Sequence, residues 1–138
     1  MQSIATTVST PKGSDTKVLV GRSLSALVTF LMIFDGVMKV IAEPHVLRAQ
    51  AELGFPAELS APLGFVVLAC TALYAVPRTS VLGAILLTGW LGGATAAKVR
   101  LEDASLLFAV VMGVLVWAGL YLREEGLRAL IPVRRARP

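Results

Sequence analysis

The stretch SLLFAVVMGVLVWAGLYL, residues 105–122, runs for 18 residues without a charged side chain. A helix needs about 20 mostly apolar residues to cross the hydrocarbon core of a bilayer. Three further runs, at residues 18–41, 59–76 and 79–97, have a similar length and character. Transmembrane strands would instead alternate apolar and polar residues over segments of about 10 residues. The sequence therefore predicts an all-α integral membrane protein, a bundle of four transmembrane helices.

The composition of the 138-residue chain agrees with this prediction. Hydrophobic residues make up 56% of the chain and charged residues 16%, whereas soluble domains contain about 25% charged residues. The net charge of +4 is not concentrated in a basic stripe, because the basic residues stand at the ends of apolar runs. A nucleic-acid-binding protein would need such a stripe. The expected partner is the lipid bilayer, and no nucleic acid is expected.

Basic residues predict the orientation of the four spans, because they remain on the cytoplasmic side of a membrane. An even number of spans places both termini on one side, and nine of the 13 basic residues lie on that side: Lys12, Lys17, Arg22, Arg78, Arg123, Arg128, Arg134, Arg135 and Arg137. Tyr74, Trp117 and Tyr121 fall near the same ends, where amphipathic rings favour the interface. We therefore expect a flexible cytoplasmic tail at residues 1–16, a transmembrane domain at 17–122 and a basic cytoplasmic tail at 123–138.

The connection between the first two spans is long enough to hold a short helix. Pro44 suits a first helical turn and Gly54 suits a helix C-terminus. Between them, one helical face carries Val46, Ala49, Gln50 and Leu53. This pattern predicts a short interfacial helix on the outer membrane surface.

Small residues on the third and fourth spans predict where helices approach each other. Gly89 and Gly93 form a GxxxG motif that Ala97 continues at the same spacing, and Ala109 and Gly113 offer a matching face on the fourth span. In lipid, helices associate through close contacts of this kind. The motif indicates packing within one chain or, as an alternative, the seam of a homo-oligomer.

Two charges interrupt the apolar stretch at residues 30–40 of the first span, at Asp35 and Lys39. Asp35 lies six residues before Ile41, about 9 Å along a helix axis, and Lys39 lies one turn from it on the same face. Lys98 and Arg100, at the outer end of the third span, should reach the same level. The four residues form either a salt bridge between helices or a polar site for a proton or ligand, since ionisable groups within a span indicate function.

No self-contained catalytic motif accompanies these charges. His45 is the sole histidine and Cys70 the sole cysteine, so neither a zinc site built from imidazoles nor a Cys-x-x-Cys pair can form within one chain. No phosphate-binding glycine loop occurs. We predict no catalytic residue, no metal site and no cofactor that this chain binds by itself.

The segments FDGVMKV, LGFP and VPRTSVLGAILLTGWLGGATAAKVR, with the closing WAGLYLREEGLRALIPVR, resemble the DoxX-like family of small four-helix bacterial membrane proteins. The resemblance implies a four-helix fold in the bacterial inner membrane. It also implies a role as a non-catalytic or co-catalytic subunit of a redox assembly, as in thiosulfate:quinone oxidoreductase, with an oxidoreductase partner and a quinone as ligand. The sequence departs from many relatives at Val67 and Lys98, where they carry glutamate and histidine.

Two other functions fit the same sequence. A small proton-coupled transporter could use Asp35 as its exchanging carboxylate, although Lys39 would compete with a cationic substrate. A structural or assembly protein would need no ligand.

Overall fold

The computed structural model describes residues 12–102 and 104–130, which form helices and contain no strand. The four long helices are α1 (Lys12–Val40), α3 (Ser60–Ala75), α4 (Ser80–Val99) and α5 (Leu106–Arg123), and the two short ones are α2 (Pro44–Glu52) and α6 (Glu125–Leu130). A 3₁₀ turn at Ala57–Leu59 leads into α3. Four helices are long and apolar enough to cross a membrane. The predicted all-α class with four spans is therefore confirmed.

The four long helices form a closed ring. Helix α1 packs against α3 and α5, and α4 packs against the same two helices. Helices α1 and α4 therefore stand at opposite corners of the bundle. The core between the helices contains large buried side chains from all four: Val28, Met32, Val67, Tyr74, Leu87, Met112, Val116 and Leu120. Outward-facing apolar residues such as Phe30 and Leu107, both more than 60% exposed, meet the acyl chains of the bilayer.

The structure describes a part of each predicted tail, and both of these parts are helical. Helix α1 begins at Lys12, so the last part of the supposed flexible tail continues the first span as helix. At the other end, α6 packs against α5 and buries Leu127 in the core. An apolar anchor at this position docks the segment onto the bundle. The remaining tail residues, 1–11 and 131–138, lie outside the described part of the chain.

Close helix crossings use other glycines than the predicted motif. A Cβ on Gly83 of α4 would overlap the backbone of Tyr74 in α3, and one on Gly64 of α3 would lie 2.7 Å from the carbonyl oxygen of Gly36 in α1. By contrast, a Cβ on Gly89 or Gly93 would meet no atom within 4 Å. Packing within the chain through these two glycines was therefore the wrong expectation, because the helix turns their face away from a neighbouring backbone.

The aromatic prediction needs a correction at one position. Tyr74 was expected at the membrane interface, but its side chain is 0% exposed. Its hydroxyl group donates a hydrogen bond to the carbonyl oxygen of Val116 at 3.0 Å and also contacts Ser25 Oγ at 3.0 Å. Partners on two other helices satisfy the phenol inside the bundle, so it does not need water.

Candidate functional site

A partly open cavity of about 530 Å³ lies at one end of the bundle and is called the α2 cavity. Its walls come from α1, α4 and the first turns of α3 and α5, with α2 and the following loop contributing at the end where α1 connects to α3. The lining residues are Met32, Asp35, Lys39, Val46, Ala49, Gln50, Leu53, Phe55, Leu63, Gly89, Trp90, Leu91, Gly93, Ala94, Ala97, Lys98, Phe108 and Ala109. Most of this lining is apolar, and the polar groups are few.

The charged pair of α1 lies in this cavity. Lys39 Nζ donates a hydrogen bond to Asp35 Oδ1, one helical turn away. The lysine side chain is 15% exposed and the aspartate side chain 37% exposed. Lys39 Nζ also lies 5.9 Å from the centroid of the Trp90 ring on α4, within the range of a cation–π interaction. The pair thus places two opposite charges beside an aromatic wall.

The other two predicted site residues, Lys98 and Arg100, lie in different places. Lys98 lines the α2 cavity and donates a hydrogen bond to Ser105 Oγ before α5. Arg100 follows the last turn of α4, is exposed and is not part of the lining. Its Nη2 atom lies 3.8 Å from the position that a Cβ on Gly54 would take. The structure therefore gathers Asp35, Lys39 and Lys98 around one cavity and directs Arg100 toward the α2–α3 connection.

The predicted packing residues take part in the same cavity. Gly89, Gly93 and Ala97 line it along one face of α4, and Ala109 lines it from α5, where it is 4% exposed. Gly113 lies outside the cavity, with its Cβ position 4.0 Å from Leu91. Because glycine and alanine carry little or no side chain, this face of α4 leaves space for the cavity. The stripe shapes a cavity instead of a helix contact.

Gln50 is the polar lining residue that the sequence reasoning did not select. Its side chain is 5% exposed, and its Oε1 atom is buried without a hydrogen-bond partner among the described residues. Such an orphaned atom is uncommon in folded proteins and calls for an explanation. The available signal was an amide on the otherwise apolar face of α2, a face that a purely structural interfacial helix would fill with apolar side chains.

Glu43 and Gly54, at the two ends of α2, explain why this helix is short and separate. The Glu43 carboxylate accepts hydrogen bonds from the backbone N–H groups of His45 and Val46, at 2.8 and 3.2 Å, which caps the first turn of α2. Gly54 follows the helix with a φ of +81°, a conformation that glycine adopts readily. The capped start and the glycine end hold α2 as a short, separate helix that lines the cavity.

A second polar cluster lies at the opposite end of the bundle. It joins Ser25, Tyr74 and Val116, and the Arg123 guanidinium donates a hydrogen bond to the Tyr74 carbonyl oxygen at 3.1 Å while lying 5.2 Å from the tyrosine ring centroid. The arginine thereby provides a hydrogen-bond donor for a carbonyl group at the end of α3 that has no partner within its own helix. This cluster ties helices together. Within residues 12–102 and 104–130, no three His, Cys, Asp or Glu side chains gather as a metal site would require.

Four membrane-spanning helices around an apolar cavity with a few polar groups define a small multi-pass membrane protein with a candidate ligand site. Residues 23–119 match the DoxX-like family. This match covers more than half of the chain, so the chain belongs to the DoxX-like family. Comparison with curated proteins and with solved structures found no match.

Proposed function

We propose that this DoxX-like protein is a non-catalytic or co-catalytic subunit of a redox assembly in the bacterial inner membrane, and that it holds a quinone in the α2 cavity. One observation carries the proposal: an apolar cavity of about 530 Å³ within a membrane-spanning bundle contains a short row of polar side chains. Ligand sites typically combine such apolar walls with a few placed polar groups and have volumes of about 300–1,000 Å³.

The wall chemistry suits an uncharged ring. Trp90 and Phe108 supply aromatic surfaces, and aromatic pairs gain from offset or edge-to-face contact. Asp35 and Lys39 neutralise each other, so the pair adds no net charge to the wall. A quinone matches this combination because it has an apolar ring with polar oxygen atoms and reaches the site from the membrane.

The transporter alternative fits less well. A carboxylate that exchanges protons for cationic substrates must attract a cation when it is ionised. Here Lys39 already lies against Asp35 as its counter-charge. A cationic substrate would have to displace the lysine and leave a second positive charge beside it.

Filling the cavity tests the proposal. A Cβ on either Gly93 or Gly92 meets no atom within 4 Å, but only Gly93 lines the α2 cavity. We expect protein purified from its native membrane to retain quinone, measured by solvent extraction and chromatography relative to protein. Gly93→Leu should lose most of it, whereas the matched control Gly92→Leu should retain it.

The assembly is tested in the same preparations. An oxidoreductase should co-purify at a constant ratio with the wild-type protein, as measured by quantitative mass spectrometry of the purified complex. Wild-type protein without quinone, or equal quinone in both leucine variants, would contradict the ligand part of the proposal. Purification as a lone chain or only as a homo-oligomer would contradict the subunit part.

A further inference from the structure

We infer that Gln50 on α2 is the hydrogen-bonding residue that selects the ligand of the α2 cavity, and that it selects flat rings bearing carbonyl or hydroxyl groups. The inference rests on the proposed function and deepens it, because it assigns recognition to a residue outside the charged pair.

The burial of Gln50 without a partner for its side-chain oxygen is the first observation. The residue lines the cavity, is 5% exposed and leaves its Oε1 atom without a partner. A buried polar atom without a hydrogen bond costs free energy, and that cost is recovered when a partner arrives. An apolar side chain at this position would avoid the cost, so the glutamine reduces the stability of the bundle unless a partner binds its Oε1 atom.

The neighbouring polar groups are already engaged, which is the second observation. Lys39 bonds to Asp35 and lies near the Trp90 ring, and Lys98 bonds to Ser105. Among the lining side chains that the structure describes, the Gln50 amide is the one with a buried polar atom that lacks a partner. A ligand therefore gains most by bonding there.

The chemistry of the amide defines the ligand class. Glutamine carries both an acceptor oxygen and an N–H₂ donor, and rotation about its last side-chain bond exchanges the two. The donor can serve a carbonyl oxygen and the acceptor can serve a hydroxyl group. Gln50 can thus bond to both the oxidised and the reduced form of a quinone, while Trp90 and Phe108 provide surfaces for the ring.

Tryptophan fluorescence provides a direct assay, because the chain has two tryptophans and only Trp90 lines the α2 cavity. Trp117 instead donates a hydrogen bond to Thr88. In the full-length Trp117→Phe protein, menadione should quench Trp90 in a saturable manner. Gly93→Leu in the same background measures the quenching that arises without binding in the cavity.

Gln50→Leu should raise the Kd for menadione about tenfold, the effect of losing one good hydrogen bond. At the same time, its midpoint of thermal unfolding, measured without menadione, should equal or exceed that of the Trp117→Phe protein, which is the parent of this variant. The control Glu52→Gln changes an exposed side chain of the same helix and should alter neither quantity.

Three outcomes would overturn the assignment. An unchanged Kd in Gln50→Leu would remove the role in recognition while leaving quinone binding intact. A lower unfolding midpoint in that variant would mean that the glutamine supports the fold. Absence of saturable quenching in the parent protein would contradict the proposed function itself, and the selection by Gln50 with it.

Discussion

The hydroxyl group of Tyr74 links three helices through hydrogen bonds. It donates to the Val116 carbonyl oxygen on α5, so the Ser25 hydroxyl on α1 must donate to it in turn, since a phenol has a single hydrogen. Hydrogen bonds between membrane helices contribute about 0.6 kcal/mol on average and up to about 1.7 kcal/mol. The full burial of this network places it toward the upper part of that range.

Replacing Tyr74 by phenylalanine should therefore lower the free energy of unfolding by about 1–2 kcal/mol, because the buried Ser25 hydroxyl loses its acceptor. The measurement is an SDS titration of the purified protein in mixed micelles. Tyr121→Phe is the matched control, since Tyr121 is 37% exposed on α5, and it should change the free energy little. Equal effects of the two substitutions would refute a special role for the buried hydroxyl.

The contributions of the Asp35–Lys39 pair to stability and to quinone binding can be measured separately. Asp35→Asn leaves the lysine without its counter-charge, and we expect a loss of about 1–2 kcal/mol in the free energy of unfolding, less than for a fully buried pair. The double variant Asp35→Asn, Lys39→Met should recover part of this loss in a double-mutant cycle. Quinone retention measured in parallel distinguishes the two parts: retention that follows stability alone would confine the pair to a structural role.

At the scale of helices, glycine decides how closely α3 and α4 cross. Gly83→Ala places a methyl group on the backbone of Tyr74 and Leu73, and overpacking of this kind costs about 1–3 kcal/mol. Gly92→Ala meets open space and should stabilise α4 by up to about 1 kcal/mol through helix propensity. Unfolding titrations of the two variants should thus shift in opposite directions. A neutral Gly83→Ala variant would mean that the crossing is looser than the structure indicates.

The end of α1 contains a local conflict that a single substitution should relieve. Ala42 has a φ of +53°, in the left-handed region where a side chain costs about 1 kcal/mol relative to glycine. Ala42→Gly should raise the free energy of unfolding by about 0.5–1 kcal/mol. The control Ala51→Gly, at an exposed position within α2, should lower it by a similar amount. A loss of stability in both variants would contradict the strain at Ala42.

The sequence predicted the helices well and their facing surfaces poorly, for a physical reason. Hydropathy is a property of each segment, so the four spans and the i,i+4 pair of Asp35 and Lys39 could be predicted locally. Which side of α4 meets α3 depends on the rotation of the whole helix, and a GxxxG pattern does not determine that rotation. Gly83 was therefore overlooked while Gly89 and Gly93 were given its role. Gln50 was missed because only the docking of α2 onto the bundle buries it.

At the scale of the whole molecule, the two ends of the bundle differ. One end is closed by the Gly83 crossing and the Tyr74 network, and a Cβ on Gly119 of α5 would lie 2.7 Å from Ser25 Oγ. At the other end, the α2 cavity lies between α1 and α4. Such an asymmetry matches a ligand site at one end of the bundle while the opposite end holds the helices in place.

The last prediction concerns which end of the helix bundle faces the cytoplasm. Helices that cross alternately place the α2–α3 connection on one face and α6 on the other. Ala57 and Gly126 are exposed positions in these two segments, and single cysteines there can be compared in a Cys70→Ala background. A membrane-impermeant maleimide should label Ala57→Cys in intact cells and Gly126→Cys only after permeabilisation, because most of the basic residues lie at the α6 end and should remain inside. The reverse pattern would invert the orientation and place the α2 cavity at the cytoplasmic face. Labelling of both positions from outside would contradict the four crossings, since two segments separated by three spans cannot share one face.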